Sequence, residues 1–271
     1  MLKDITIGQY ISGNSILHKM DPRIKIILTL VFIVVLFLVS NPFAYGGLIL
    51  FTLLLTFVSK IPFKYILKGL KPMLFIILFT VFLNLFLTSG KELWSLKIFD
   101  GWTIRITYEG VKMSILMFLR LTLLVMGTSL LTLTTSPLKL TDGIESLLKP
   151  FEIIKVPAHE IAMMMSIAIR FIPTLAEETD KIIKAQTARG ADFESGNIIM
   201  RAKAMIPLLV PLFVSAFRRA DELATAMDSR CYHGGKNRTR MKEMRITKMD
   251  VLSVLFIIIF VSFLIFIEYF I

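Results

Sequence analysis

The 271-residue sequence has one cysteine, Cys231, and three histidines, His18, His159 and His233, far apart along the chain. One cysteine excludes an intrachain disulfide framework and a Cys-cluster metal site. No two histidines have ligand spacing, so no metal is expected on this chain. Charge is also scarce: 19% of residues are Asp, Glu, Lys or Arg, against about 25% in soluble domains. Gly/Ser linkers and low-complexity tracts are missing. So are the phosphate loop Gly-x4-Gly-Lys-Ser/Thr, the Gly-x-Ser-x-Gly elbow and His-Glu-x-x-His. His159-Glu160 stands without a second histidine at the required distance. No paired catalytic side chains occur within the apolar runs, so the chain is expected to be non-catalytic and to bind no cofactor itself.

What is present is apolar surface. Hydrophobic residues make up 55% of the chain, 22 of them Phe, so water is not its main solvent. Five segments approach the roughly 20 apolar residues that a membrane span needs: Ile24–Val39, Phe43–Val58, Met73–Leu87, Val111–Leu133 and Val251–Phe270. The first three are slightly short. The N-terminal residues lack the apolar core of a cleavable signal peptide, which leaves the first span as the expected targeting signal. Within the spans, Asn84 and Arg120 stand out; Arg120 is either a functional intramembrane charge or one that faces other helices. Residues 89–110 fit either a small extracellular hairpin or a re-entrant element.

The net charge of +11 allows an anionic-membrane or a nucleic-acid reading until its location is known. Lys60, Lys64, Lys68 and Lys71 follow the second span, whereas the turn after the first has no Lys or Arg. The positive-inside rule then predicts a cytoplasmic N-terminus, an extracellular C-terminus and no nucleic-acid partner. Between Thr135 and Lys248 lie 18 of the 31 Lys/Arg residues. The expected organisation is an all-α polytopic membrane protein, with a four-span membrane domain (1–134), a cytoplasmic coupling domain (135–248) and a final transmembrane helix (249–271). The coupling domain is expected to hold helices at about 139–149, 158–189 and 201–231, with Pro173, Pro207 and Pro211 as helix breaks.

Two of those helices close alike. Asp180, Ile182, Ala185 and Arg189 recur as Asp221, Leu223, Ala226 and Arg230, a weak repeat with a period of 41. Spacing of three and four puts Leu175, Thr179, Ile182, Ala185 and Arg189 on one stripe. The second stripe is Ala216, Ala220, Leu223, Ala226 and Arg230. Small residues at Ala185 and Ala226, beside Ile182 and Leu223, suit a close helix crossing. Each terminal arginine complements its helix dipole or offers a bidentate fork to a partner's carboxylates. The acidic pairs Glu177-Glu178 and Asp221-Glu222 are expected on solvated helix faces, in surface salt bridges.

Four blocks in order complete the pattern: Tyr10 to Lys25, including His18 and Asp21-Pro22-Arg23; Leu133 to Leu140, followed by Gly143-Ile-Glu145; Arg170-Phe-Ile-Pro173, leading to Ala188-Arg189-Gly190; and Pro211 to Leu223, leading to Ser229-Arg230-Cys231-Tyr232. Along nearly its full length the chain resembles the transmembrane T component of energy-coupling factor importers of vitamins and metals. The resemblance implies two ABC-type ATPase subunits as partners, with ATP and Mg bound on those subunits. It also implies a small membrane-embedded S component that binds substrate, and long coupling helices whose Ala-Arg-Gly motifs insert into the ATPases. By that resemblance Ala188, Arg189 and Gly190 form the first docking motif, and Ser229, Arg230 and Cys231 the second. The second departs from Ala-Arg-Gly, and loss of glycine there implies a different helix ending. The alternative is a secondary permease acting without ATPases, which requires substrate-binding polar groups within the spans.

Overall fold

The structure, a computed structural model, describes residues 10–99, 102–193, 195, 197–235 and 244–270. Two compact units emerge: one combines Gly8–Gly143 with Met244–Ile271, the other comprises Ile144–Glu243.

The first unit begins with the short helix α1 (Ile16–Lys19) and continues through α2 (Pro22–Leu38) and α3 (Pro42–Ser59). Both long helices start with an Asx cap followed by Pro at the first helical position. Asp21 accepts from the Arg23 N–H and Asn41 from the Phe43 N–H, which satisfies donors that the first turn leaves free. A bent pair follows, α4 (Phe63–Leu70) and α5 (Leu74–Leu87), with 59° between them. Pro72 has no N–H to continue the ladder, so the apolar run restarts at Leu74. The sequence predicts one third span at Met73–Leu87. Its helix instead has 14 residues, about 21 Å at 1.5 Å per residue, too short alone for a core of about 30 Å.

Next comes an antiparallel hairpin of β1 (Glu92–Phe99) and β2 (Trp102–Thr107), pairing Glu92 with Thr107 and Leu96 with Ile104. Residues 92–99 and 102–107 therefore pair as a hairpin, as the first sequence alternative requires. Thr107 caps α6 (Tyr108–Thr134) through the Gly110 N–H and donates its hydroxyl to the Thr88 carbonyl. Helix α6 is the hub against which α2, α3, α4 and α5 pack. The chain then enters α7 (Pro137–Leu148), and within this unit α10 (Lys248–Phe270) packs on α2 and α3. Val35, Leu36, Ala44, Tyr45, Leu48, Leu123 and Leu264 form the main core. Phe51 stacks on Phe260 with centroids 4.6 Å apart.

Among the described residues four helices are long and apolar enough to cross a membrane, or five if the bent pair α4–α5 is one span. Helix α2, at 17 residues, lies at the lower limit. One of the four is Ile199–Asp228, although its apolar part, Ala204–Phe217, has only 14 residues. That part proves to be embedded in a continuous helix, so length alone does not separate it from the spans.

Charged side chains inside these helices close backbone ends. Arg120 of α6 donates Nε to the Tyr45 hydroxyl at 2.8 Å and Nη2 to the Val39 carbonyl at 3.0 Å, and lies over the Phe37 ring. Glu268 of α10 accepts from the Ser40 and Asn41 N–H groups at 3.0 and 2.9 Å. The α2–α3 turn is thus tied from two other helices, which gives Arg120 a structural role. Asn84 donates to the Thr80 carbonyl one turn back. Replacing Arg120 with Leu should lower the thermal unfolding midpoint in detergent, by the equivalent of about 1–2 kcal/mol for lost charge-assisted bonds. Arg120→Lys should lose less; an unchanged midpoint for Arg120→Leu contradicts the tie.

Candidate functional site

The second unit is dominated by two 31-residue helices, α8 (Ala158–Ala188) and α9 (Ile198–Asp228). A 3-10 turn, Lys149–Ile154, leads into α8. The His159 ring Nδ1 pairs with Glu145 at 3.0 Å near the helix start. The prolines correct one expectation: Pro173 lies inside α8, and Pro207 and Pro211 inside α9, with helix on both sides. Each deletes one backbone hydrogen bond, to the carbonyl four residues back, but none ends its helix. The remaining bonds of a long helix, and packing on the facing helix, hold each segment together across the missing one.

The two helices run antiparallel. Glu178 of α8 reaches Ser215 and Arg219 of α9, whereas Met163, Ser166, Ile167 and Arg170 share a groove with Leu223, Met227 and Arg230. The Ser215 hydroxyl donates to one Glu178 oxygen, and Arg219 Nη2 donates to the other at 3.0 Å. The Ser215 hydrogen bond first, then Arg219, outweigh desolvation and hold the Glu178 carboxyl below its ordinary value. Beside this clamp Phe171, Leu175, Ala216 and Leu223 line a small apolar groove.

Glu178 and Arg219 are separated by 41 residues, the period of the sequence repeat. They are therefore equivalent positions of two like helices, and equivalent positions meet where such helices cross with local two-fold symmetry. Arg189 lies 11 residues beyond Glu178 and Arg230 lies 11 beyond Arg219, about 16 Å of helix in each case. Because the helices are antiparallel, the two arginines leave the crossing in opposite directions.

Both ends close with the same hydrogen bonds. Gly190 N–H donates to the Thr187 carbonyl at 2.9 Å and Ala191 N–H to Gln186 at 3.0 Å. In α9 the pairs are Cys231 to Asp228 at 2.9 Å and Tyr232 to Met227 at 3.1 Å. These are the two bonds of a Schellman ending, and they place Arg189 and Arg230 at the C-cap, exposed. Gly190 has φ +88° and Cys231 φ +54°. The expectation of a different ending at Ser229-Arg230-Cys231 is thus corrected. Cysteine adopts the left-handed conformation that glycine takes without strain, because the two backbone bonds outweigh a penalty of about 1–2 kcal/mol.

Residues 13–241 match the family described as cobalt transport protein, CbiQ. The chain belongs to this family, as an EcfT-like transmembrane component of an energy-coupling factor transporter. It is 56% identical over 270 residues to the energy-coupling factor transporter transmembrane protein EcfT of Ruminiclostridium cellulolyticum, covering 99% of both chains. The protein of that name from Clostridium kluyveri is 57% identical over 254 residues, 93% of both chains. That from Bacillus subtilis is 44% identical over 268 residues, 99% of this chain and all of the relative.

The structure brings some expected residues of this T component together and separates others. Ala188, Arg189 and Gly190 sit together at one helix end, and Ser229, Arg230 and Cys231 at the other. Of the expected crossing residues, Leu223 lines the groove and Ile182 is half-buried, but Ala185 and Ala226 are exposed. The contact lies nearer the middle of each helix, at Glu178 and Ser215/Arg219. The less exposed side of α9 passes through Leu208, Leu212, Ala216, Arg219, Leu223 and Met227. A stripe shows which side is buried, not where along it two helices meet; a buried-facing carboxylate opposite a serine and an arginine decides that. Glu178 makes the salt bridge expected of it, with Arg219, but on a half-buried face, whereas Glu177, Asp221 and Glu222 are exposed as expected. The repeat itself held the missed signal, since its period joins Glu178 to Arg219.

The first two sequence blocks also meet, within the other unit. Lys25 Nζ donates to the Thr134 carbonyl at 3.1 Å and to the Thr134 and Thr135 hydroxyls, closing the end of α6. The Ile11 N–H donates to the Leu133 carbonyl, and His18 Nε2 donates to the Ile11 carbonyl while Nδ1 accepts from Ser15. The Asp21 N–H donates to Asp250 of α10 at 2.9 Å. These residues join α2, α6 and α10, and no metal-binding group of three or more His, Cys, Asp or Glu occurs among the described residues.

Two outcomes follow from the crossing and the caps. Cys231→Gly should strengthen the end of α9 by about 0.5–1 kcal/mol, read as greater amide hydrogen-exchange protection at positions 231 and 232; lower protection contradicts the cap. The clamp's carboxylate contribution is complete above the ordinary Glu value of 4.5 and is lost as pH falls through the lowered folded value. Spin labels at 187 and 228 should therefore give a narrow distance distribution at neutral pH that broadens below pH 4.5. Glu178→Gln should be broad at both pH values, and a distribution indifferent to both changes excludes the clamp.

Proposed function

We propose that the chain is the coupling subunit of an ATP-driven importer, docking two ABC-type ATPase subunits through Arg189 and Arg230. Motion of those subunits passes through the crossed helices to a membrane-embedded S component, which binds the vitamin or other micronutrient. One observation carries the reading: two identically capped arginines, equidistant from a repeat-symmetric crossing, point away from each other. Two like ends pointing apart suit two like partners. The exposed guanidinium of each is free to fork onto carboxylates of a subunit. ATP and Mg belong to the ATPases, and this chain contributes no cofactor or catalytic group.

The same reading assigns 1–134 and 249–271 to the membrane and 135–248 to the cytoplasm, with the N-terminus cytoplasmic and the C-terminus outside, in a bacterial cell membrane. Apolar residues on the outer side of α9, among them Ile206, Val210, Phe213 and Phe217, supply a surface for the lipid boundary or the S component. The permease alternative loses its polar groups: Arg120 is tied to Val39 and Tyr45, and Asn84 to Thr80.

Replacing both Arg189 and Arg230 with Glu should abolish co-purification of the ATPases and substrate uptake. Each single change should lose only part, because one bound end keeps the second site at high effective concentration, worth about 10²-fold or more in avidity. Wild-type ATPase recovery and uptake by the double variant would sink the proposal.

A further inference from the structure

Lys64, Lys68 and Lys71 enter the sequence reading only as a topology signal, yet in the structure they make one surface. Spacings of four and three put them on one side of α4 and its C-cap, and all three are exposed. The opposite side is anchored. Ile66 is fully buried with Ile61, Met126, Leu130 and Leu133, and a Cβ added at Gly69 would lie 2.8 Å from the Ser129 hydroxyl. Helix α4 therefore cannot roll to cover its lysines without losing this packing. No Asp or Glu occurs between Asp21 and Glu92. Among the described residues none of the three lysines is in a salt bridge.

The borders of the stripe are apolar and also exposed: Phe63 at 47%, Tyr65 at 46% and Leu67 at 48%. Across the 59° bend, α5 exposes Phe75, Ile76, Phe79 and Phe82. A short, strongly amphipathic helix set at an angle to an apolar one, with lysines beside aromatic side chains, has the form of an interfacial helix. Lysine stems lie along apolar surface while the ammonium groups reach the polar layer. An acidic protein face would answer the charge but leave Phe63, Tyr65 and Leu67 in water. A lipid boundary answers both.

We propose that α4 is a lipid-reading element in which Lys64, Lys68 and Lys71 bind the headgroups of anionic phospholipids. The assignment is independent of ATPase docking at Arg189 and Arg230. The test uses the full chain in phosphatidylcholine vesicles, with spin-labelled phosphatidylglycerol and spin-labelled phosphatidylcholine compared by their motionally restricted fractions. Wild type should prefer phosphatidylglycerol, and the preference should shrink as salt is raised. Each lysine at an anionic surface favours binding about fivefold, so the K64Q/K68Q/K71Q variant should fall toward parity even when the signal is averaged over all boundary lipid. K64R/K68R/K71R keeps the charge and should keep the preference, which separates lost charge from lost packing. Three results overturn the proposal: an undiminished preference in the Gln variant, loss of preference in the Arg variant, or loss of a co-purifying subunit from the Gln variant with lipid preference intact.

Discussion

The contact between Glu178 and the Ser215/Arg219 pair fixes where α8 and α9 cross, and the positions of both terminal arginines follow from that one place. A helix is stiff and rises about 1.5 Å per residue, so 11 residues on either side convert a local hydrogen-bonded clamp into a set separation of two distant side chains. A crossing one turn away would carry both arginines with it. Because Glu178 and Arg219 are equivalent in the repeat, the two arms are equal in length.

In the membrane-type unit the governing constraint is different. Where water is scarce, each unpaired backbone group is costly, and the helix ends there are closed by side chains from other helices. Arg120 and Glu268 close the α2–α3 turn, Lys25 closes α6, and Asp250 receives the Asp21 N–H. These charges, conspicuous in apolar segments, close backbone ends.

Much of this was legible in the sequence. Asp21-Pro22 and Asn41-Pro42 announce helix starts because an Asx cap followed by proline satisfies a first turn. The arginines at the ends of α8 and α9 were visible through the 41-residue period. What escaped depends on partners remote in sequence. Ala185 and Ala226 have the small size and helical spacing that suit a crossing, yet the contact forms around a carboxylate, a hydroxyl and a guanidinium. The prolines looked like breaks because the local rule counts only the missing bond, whereas 31-residue helices retain many others. Cys231 looked like a lost cap because the rule speaks of glycine, whereas the two backbone bonds hold another residue in the same conformation. The third span, expected at Met73–Leu87, forms as the 14-residue α5, set off from α4 by the 59° bend at Pro72.

The central claim is that the two arginine ends engage two separate ATPase subunits. Photo-crosslinking amino acids placed at 188 and at 229, beside Arg189 and Arg230, test it directly in the assembled transporter complex. The account predicts that each position gives an ATPase adduct, and that a chain carrying both gives a species with two ATPase subunits attached. Adducts of both positions with one and the same ATPase molecule, or crosslinks confined to lipid, would contradict it.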